Sequence, residues 1–203
     1  MRPSRPGKRD EGSEPSRVER YLAHLDRLSG GLEPAFTPIG EERPRITVIR
    51  YDDLPESGYL TALTYGLSLH RHPEWRLGKP ELCISVRSRD PAWGYAIGYL
   101  AEQLRGECPF AYGDTINFNE RMSQESDMTA FVVFAPAVLD RTDATGLDLG
   151  DDLPINIAGM YPIHDVERVW IGEHGLEAFW RLDWDPYDVT RPPAVESAAA
   201  DGS

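Results

Sequence analysis

Cysteine is almost missing from this 203-residue chain, which has only Cys83 and Cys108. Two thiols 25 positions apart, with no C-x-x-C pair and no histidine at ligand spacing, exclude a disulfide framework and a zinc module. Both are expected to be reduced, Cys83 packed in a strand and Cys108 before a proline in a turn. Long apolar runs are also missing, and without about 20 consecutive apolar residues no helix is expected to span a membrane. Positive charge is in short supply. Against 34 Asp and Glu stand 21 Lys and Arg, a net charge of −13, which excludes a general nucleic-acid binder that displaces counterions with a basic face. No phosphate-cradling Gly-rich loop, zinc-protease motif or internal repeat is present, and no cofactor is expected. The opening MRPSRPGKRDEGSEPS is basic but leads into no apolar segment, so it does not read as a secretory signal and the expected location is cytoplasmic.

What is present describes one ordinary domain. The 40% hydrophobic and 10% aromatic content suffices for a core at this length. Pro-, Ser- and charge-rich ends, residues 1–15 and 186–203, read as disordered tails around a domain at 16–185. Ser16 with Glu19 three residues later forms a capping box, followed by Val18, Leu22, Leu25 and Leu28 at helical spacing and by Gly30-Gly31 as a stop. After a Pro-rich connection, RITVIRYDD, LTALTYGLSL and ELCISVRS alternate as strands. A second helix opens at Asp90-Pro91, with Ile97, Leu100 and Leu104 on one face. DTINFNE, MTAFVVFAPAV and LPINIAGMYPI read as later strands, and HDVERVWIGEHGLEAFWRL as a closing helix divided near Gly172 and Gly175. The fold class is therefore α+β, a central mixed sheet with helices on its faces.

Few residues offer chemistry. In LTYGLSLH, Ser68 sits two residues after Gly66, close to the G-x-S-x-G turn that presents a nucleophile. His70 stands where the second glycine is needed and no helix pattern follows, so a strand end with close packing at Gly66 accounts for the stretch better. His70 and His72 share a strand face but have no third ligand nearby, which favours loop histidines over a metal pair. His164, Asp165 and Glu167 lie at a helix start, where capping explains them better than acid catalysis. His174 has no nameable partner. Between Glu107 and Asp152 ten acidic residues face two arginines, a segment able to steer a basic partner or simply to solvate the surface.

Three segments together carry a family resemblance: TALTYGLS, ELCISVRS, and INIAGMYPIHDVERVWIGEHGLEAFW with Pro162, Ile163, Glu167, Gly175 and Leu176 at its marked positions. Over residues 40–182 the chain resembles the Suppressor of fused domain. The resemblance implies a non-enzymatic, cytoplasmic protein-binding module. Animal relatives sequester zinc-finger transcription factors with the help of a second domain, and single-domain bacterial relatives are similar to immunity proteins that neutralise toxins. An arginine-rich, lysine-poor composition suits a GC-rich bacterial genome. The partner is then expected to be a protein, a toxin or a basic protein, with no nucleic acid and no membrane. Two alternatives stand beside it: an adaptor that captures an extended peptide at a sheet edge, and a hydrolase using Ser68 with His70 or His164. The candidate partner-binding or signature residues are Gly66, Leu67, Ser68, Glu81, Pro162, Ile163, Glu167 and Gly175, for which structural roles are favoured.

Overall fold

The computed structural model describes residues 14–195. The first helix, α1 (Arg17–Ser29), starts where its capping box predicts: Glu19 N–H meets the Ser16 hydroxyl, and the Glu19 carboxylate accepts the Ser16 N–H at 2.7 Å. Gly30, at φ 65°, closes the helix. Its buried stripe is led by Tyr21 and Leu25, whereas Val18 is exposed. The aromatic ring one turn before Leu25 displaces the expected valine from the interface.

Seven strands follow: β1 (Ala35–Ile39), β2 (Ile46–Asp52), β3 (Leu60–Tyr65), β4 (Lys79–Val86), β5 (Thr115–Asn117), β6 (Ala130–Phe134) and β7 (Ile155–Ile163). They form one sheet in the order β1-β2-β3-β4-β7-β6-β5, antiparallel except where β7 lies parallel to β4. The helices α2 (Ala92–Gln103), α3 (Arg141–Ala144), α4 (Asp165–His174) and α5 (Leu176–Trp180) complete the α+β domain.

Strand alternation sends successive side chains to opposite faces. One parity (Ile46, Val48, Ala62, Leu82, Ile84, Met160) packs under α2 through Trp93, Ile97 and Leu100. The other parity splits its cover. Ile49, Leu63, Cys83 and Ile157 lie under Tyr21 and Leu25 of α1, while Ala130, Val132, Tyr161 and Ile163 lie under Ile171 and Phe179 of α4 and α5. The sheet is thus wrapped on both faces, which is why β4 and β6 are buried on both.

Five local expectations are corrected. The Pro-rich connection contains β1, whose exposed Phe36 and its proline, Pro38, hide its strand character. The strand expected to run to Leu69 ends at Tyr65, and Leu67–Leu69 forms a 3₁₀ turn. α2 begins at Ala92, one residue later than expected, with Asp90 still accepting the Ala92 N–H at 3.0 Å. The closing helix breaks at Gly175 but runs through Gly172. Residues 186–195, assigned to a tail, pack onto the domain with Val189, Arg191 and Val195 buried. The rest of that tail and residues 1–13 lie outside the described residues.

Candidate functional site

The candidate residues assemble into two polar clusters. In the first, Gly66 ends β3 at φ 120°, a conformation that suits glycine, and a Cβ there would lie 2.6 Å from the Arg45 carbonyl. That turn aims the amides of Gly66 and Ser68 at the Glu81 carboxylate on β4, at 2.9 and 3.1 Å. The Ser68 hydroxyl donates to the same oxygen, and the Thr64 hydroxyl donates to the other at 2.7 Å. Glu81 is fully buried, and burial holds its carboxyl above the usual glutamate range despite these donors. Leu67, also fully buried, drops into the core under α2 and fixes the turn.

Arg17, the first residue of α1, extends this cluster. Its guanidinium donates to the Ser68 hydroxyl and, at 2.7 Å, to Asp151, and stands 5.0 Å from the Tyr65 ring centre. One turn on, the Tyr21 hydroxyl donates to the Thr64 carbonyl at 2.9 Å. A chain of donors therefore runs from the helix through serine to a buried carboxylate. It fastens α1 to the end of the sheet.

The second cluster lies where β7 turns into α4. Pro162 sits one residue before the end of β7, beyond Gly159 where the β4 ladder stops, so a residue without N–H fits there. Ile163 is fully buried against Ile171 and Phe179. Glu167, fully buried, accepts the His164 N–H at 2.8 Å and the Ala194 N–H at 2.7 Å. Arg191 clamps it with two bonds, 2.6 and 2.9 Å, and lies 4.7 Å from the Trp184 ring centre. Gly175, at φ 85° and ψ 157°, takes the kink between α4 and α5 in a region nearly confined to glycine.

The two clusters are not one site. Glu81 pairs in register with Ile157, and Glu167 follows the end of β7, so strand rise alone puts them roughly 20 Å apart at opposite ends of the sheet. Seven of the eight candidates, Gly66, Leu67, Ser68, Glu81, Pro162, Ile163 and Glu167, lie beneath the surface. A partner meeting the folded chain touches what they hold in place.

The Ser68 hydroxyl is 1% exposed and committed to Glu81 and Arg17, which is not the presentation of a nucleophile. Neither expected base reaches it: His70 faces Arg105, and His164 contacts the Arg191 carbonyl at the far cluster. His72 is engaged by the Glu107 carbonyl and the Glu74 N–H. No group of three metal-ligating side chains occurs among the described residues. Burial pushes the Cys83 thiol up to about 12, leaving it protonated and unreactive. Thr64, Arg17, Tyr21 and Arg191 escaped the sequence reading, because each acts through a partner between 17 and 51 positions away.

The acidic segment is less free than its composition suggests. Asp127, Asp143, Asp151 and Asp152 pair with Arg121, Arg27, Arg17 and Lys79. Asp114 and Asp148 accept backbone amides, and Glu125 accepts from Ser88 and Trp93.

Comparisons agree with this architecture. The family model described as "Suppressor of fused protein (SUFU)" matches residues 42–192. The chain belongs to the Suppressor of fused family. Comparison with the curated proteins finds no match. Among solved structures, the chain is similar to a Suppressor of fused homologue from Neisseria gonorrhoeae FA 1090, with 18% identity, a TM-score of 0.71, and 88% of this chain and 97% of that chain covered. It is also similar to a chain of the Sufu–Fu complex, with 14% identity, a TM-score of 0.60, and 90% and 93% covered. Both likenesses show the shared fold. The family match ends at residue 192, beyond the Suppressor of fused resemblance at 40–182 and just past Arg191, the residue that locks the C-terminal strap.

Proposed function

We propose that this Suppressor of fused family member is a non-enzymatic protein-binding domain acting in the cytoplasm as an immunity protein, which silences a toxin by binding it. Family membership carries this reading, supported by a structural relative that is crystallised in complex with another protein, Fu. The fate of the chemistry-bearing residues supports it as well: Ser68, Glu81, Glu167 and His164 are used to lock helices and a strap onto the sheet. No helix among the described residues is long and apolar enough to cross a membrane.

Peptide capture at a sheet edge is less well supported. β1 carries Pro38 and β5 has three residues, and both features weaken an edge as a template for strand addition. The test is co-expression of the chain with the product of the neighbouring gene. Rescue from toxicity and a stable complex on gel filtration are expected. A toxic neighbour that neither binds nor is silenced overturns the immunity role, and a well-folded bait that captures no protein from its own organism overturns protein binding.

A further inference from the structure

The inner face of α2 is core, but its outer face carries two aromatic rings over which no element packs among the described residues. Tyr95 and Tyr99, one turn apart, remain 44% and 49% exposed. Tyr99 meets Phe118 edge-on, with ring centres 5.8 Å apart, and Phe118 in turn meets the buried Phe131 at 6.4 Å. These contacts anchor Tyr99 to the core. Between α2 and the 118–124 segment runs a groove whose floor is Ala92, Ala96 and Met122. Asp90 and Glu120 line it. Arg121, on its rim, is already neutralised by Asp127 at 2.8 Å and held by the Ser126 carbonyl at 2.8 Å. The groove therefore combines aromatic faces, an apolar floor and surplus negative charge.

Aromatic faces attract cations, a guanidinium stacks on them best, and a nearby carboxylate adds a directional partner. The net charge of −13 draws cationic segments towards the chain and repels a second copy of it. We infer that this groove docks an arginine-bearing, apolar-flanked segment of the partner protein, with the guanidinium over Tyr95 and Tyr99 and facing Glu120. The inference rests on the protein-binding reading and adds the surface and the chemistry it recognises.

The test is an NMR titration of the full chain with the capped peptide Ala-Leu-Arg-Leu-Leu-Arg-Ala, and with a version in which glutamine replaces both arginines. Saturating shifts at the amides of residues 95, 99, 118 and 120 with the arginine peptide alone are expected. Tyr99→Ala should weaken binding about tenfold, Tyr99→Phe should restore it, and Glu120→Gln should cost about threefold, each variant keeping the dispersed amide spectrum of the folded chain. Shifts spread over the acidic surface and indifferent to Tyr99→Ala, or no shifts at millimolar peptide, overturn the groove. A captured partner that Tyr99→Ala still holds at full strength also overturns the groove while leaving protein binding intact.

Discussion

Glu81 shows how a charged residue can be central to a fold and invisible to a partner. Four donors converge on a fully buried carboxylate, so deleting it strands them as well as leaving a void. Glu81→Ala should lose about 3–5 kcal/mol in urea unfolding, the range for breaking a buried charged network. Glu81→Gln keeps a carbonyl oxygen for the Gly66 and Ser68 donors and should cost far less. Its effect should depend on pH in a defined direction. Burial raises the carboxyl value in the folded state, so between the ordinary glutamate value and the raised one the folded chain holds a proton that the unfolded chain has released. The stability from this group is full at low pH and declines as pH rises through that interval. Glutamine has no such loss, so the stability of Glu81→Gln relative to wild type should improve from about pH 4 towards neutrality. A difference that stays flat across that range would show that Glu81 ionises normally. The committed Ser68 hydroxyl should likewise stay unlabelled by a fluorophosphonate in the folded protein, and labelling lost in Ser68→Ala would reinstate the hydrolase.

At the scale of elements, the sheet strands and main helices were legible because their signals are local: a capping box at Ser16, alternation in ELCISVRS, a stop at Gly30. β1 was not, since its Phe36 is exposed and a proline interrupts it. Nor was the strap at 186–195, PYDVTRPPAV, whose three prolines and lack of apolar periodicity read as a tail. Nothing local says that Arg191 will find a buried glutamate 24 positions earlier. Glu81 is marked only by family likeness, although an acidic residue leading an apolar strand is itself a sign of a buried network, whereas Glu167 is marked both by that likeness and by its place at a helix start. The strap makes a direct prediction. Ending the chain after residue 185 removes Arg191 and Ala194 from Glu167 and uncovers Trp184. Such a chain should melt far below the full chain, and Arg191→Ala alone should lose about 3–5 kcal/mol in urea unfolding because it leaves a buried carboxylate without its cation. A truncated chain as stable as the full one would return these residues to the status of a tail.

Over the whole molecule, two electrostatic effects oppose each other. Ion pairs such as Arg121–Asp127 and Arg181–Glu177 favour the fold and weaken with salt, but exposed pairs contribute only about 0–1 kcal/mol each. The buried Glu167–Arg191 pair is scarcely screened. Pairing rearranges charge without removing it, so the net −13 persists and its self-repulsion disfavours the compact state. Raising ionic strength shortens the screening length from about 30 Å at 0.01 M to about 8 Å at 0.15 M, which suppresses repulsion across the molecule more than attraction between groups in contact. Repulsion should therefore dominate the response. The melting temperature should rise by about 2–4 °C between 0.01 and 0.15 M sodium chloride, corresponding to ~1 kcal/mol for a domain of this size. The same screening should slow capture of a basic partner segment while leaving its release nearly unchanged, because steering acts before contact and the proposed aromatic groove acts after it. A melting temperature that falls with salt would mean that the surface pairs outweigh the net charge, and the acidic surface would then be a lattice of local contacts with little long-range field to offer a partner.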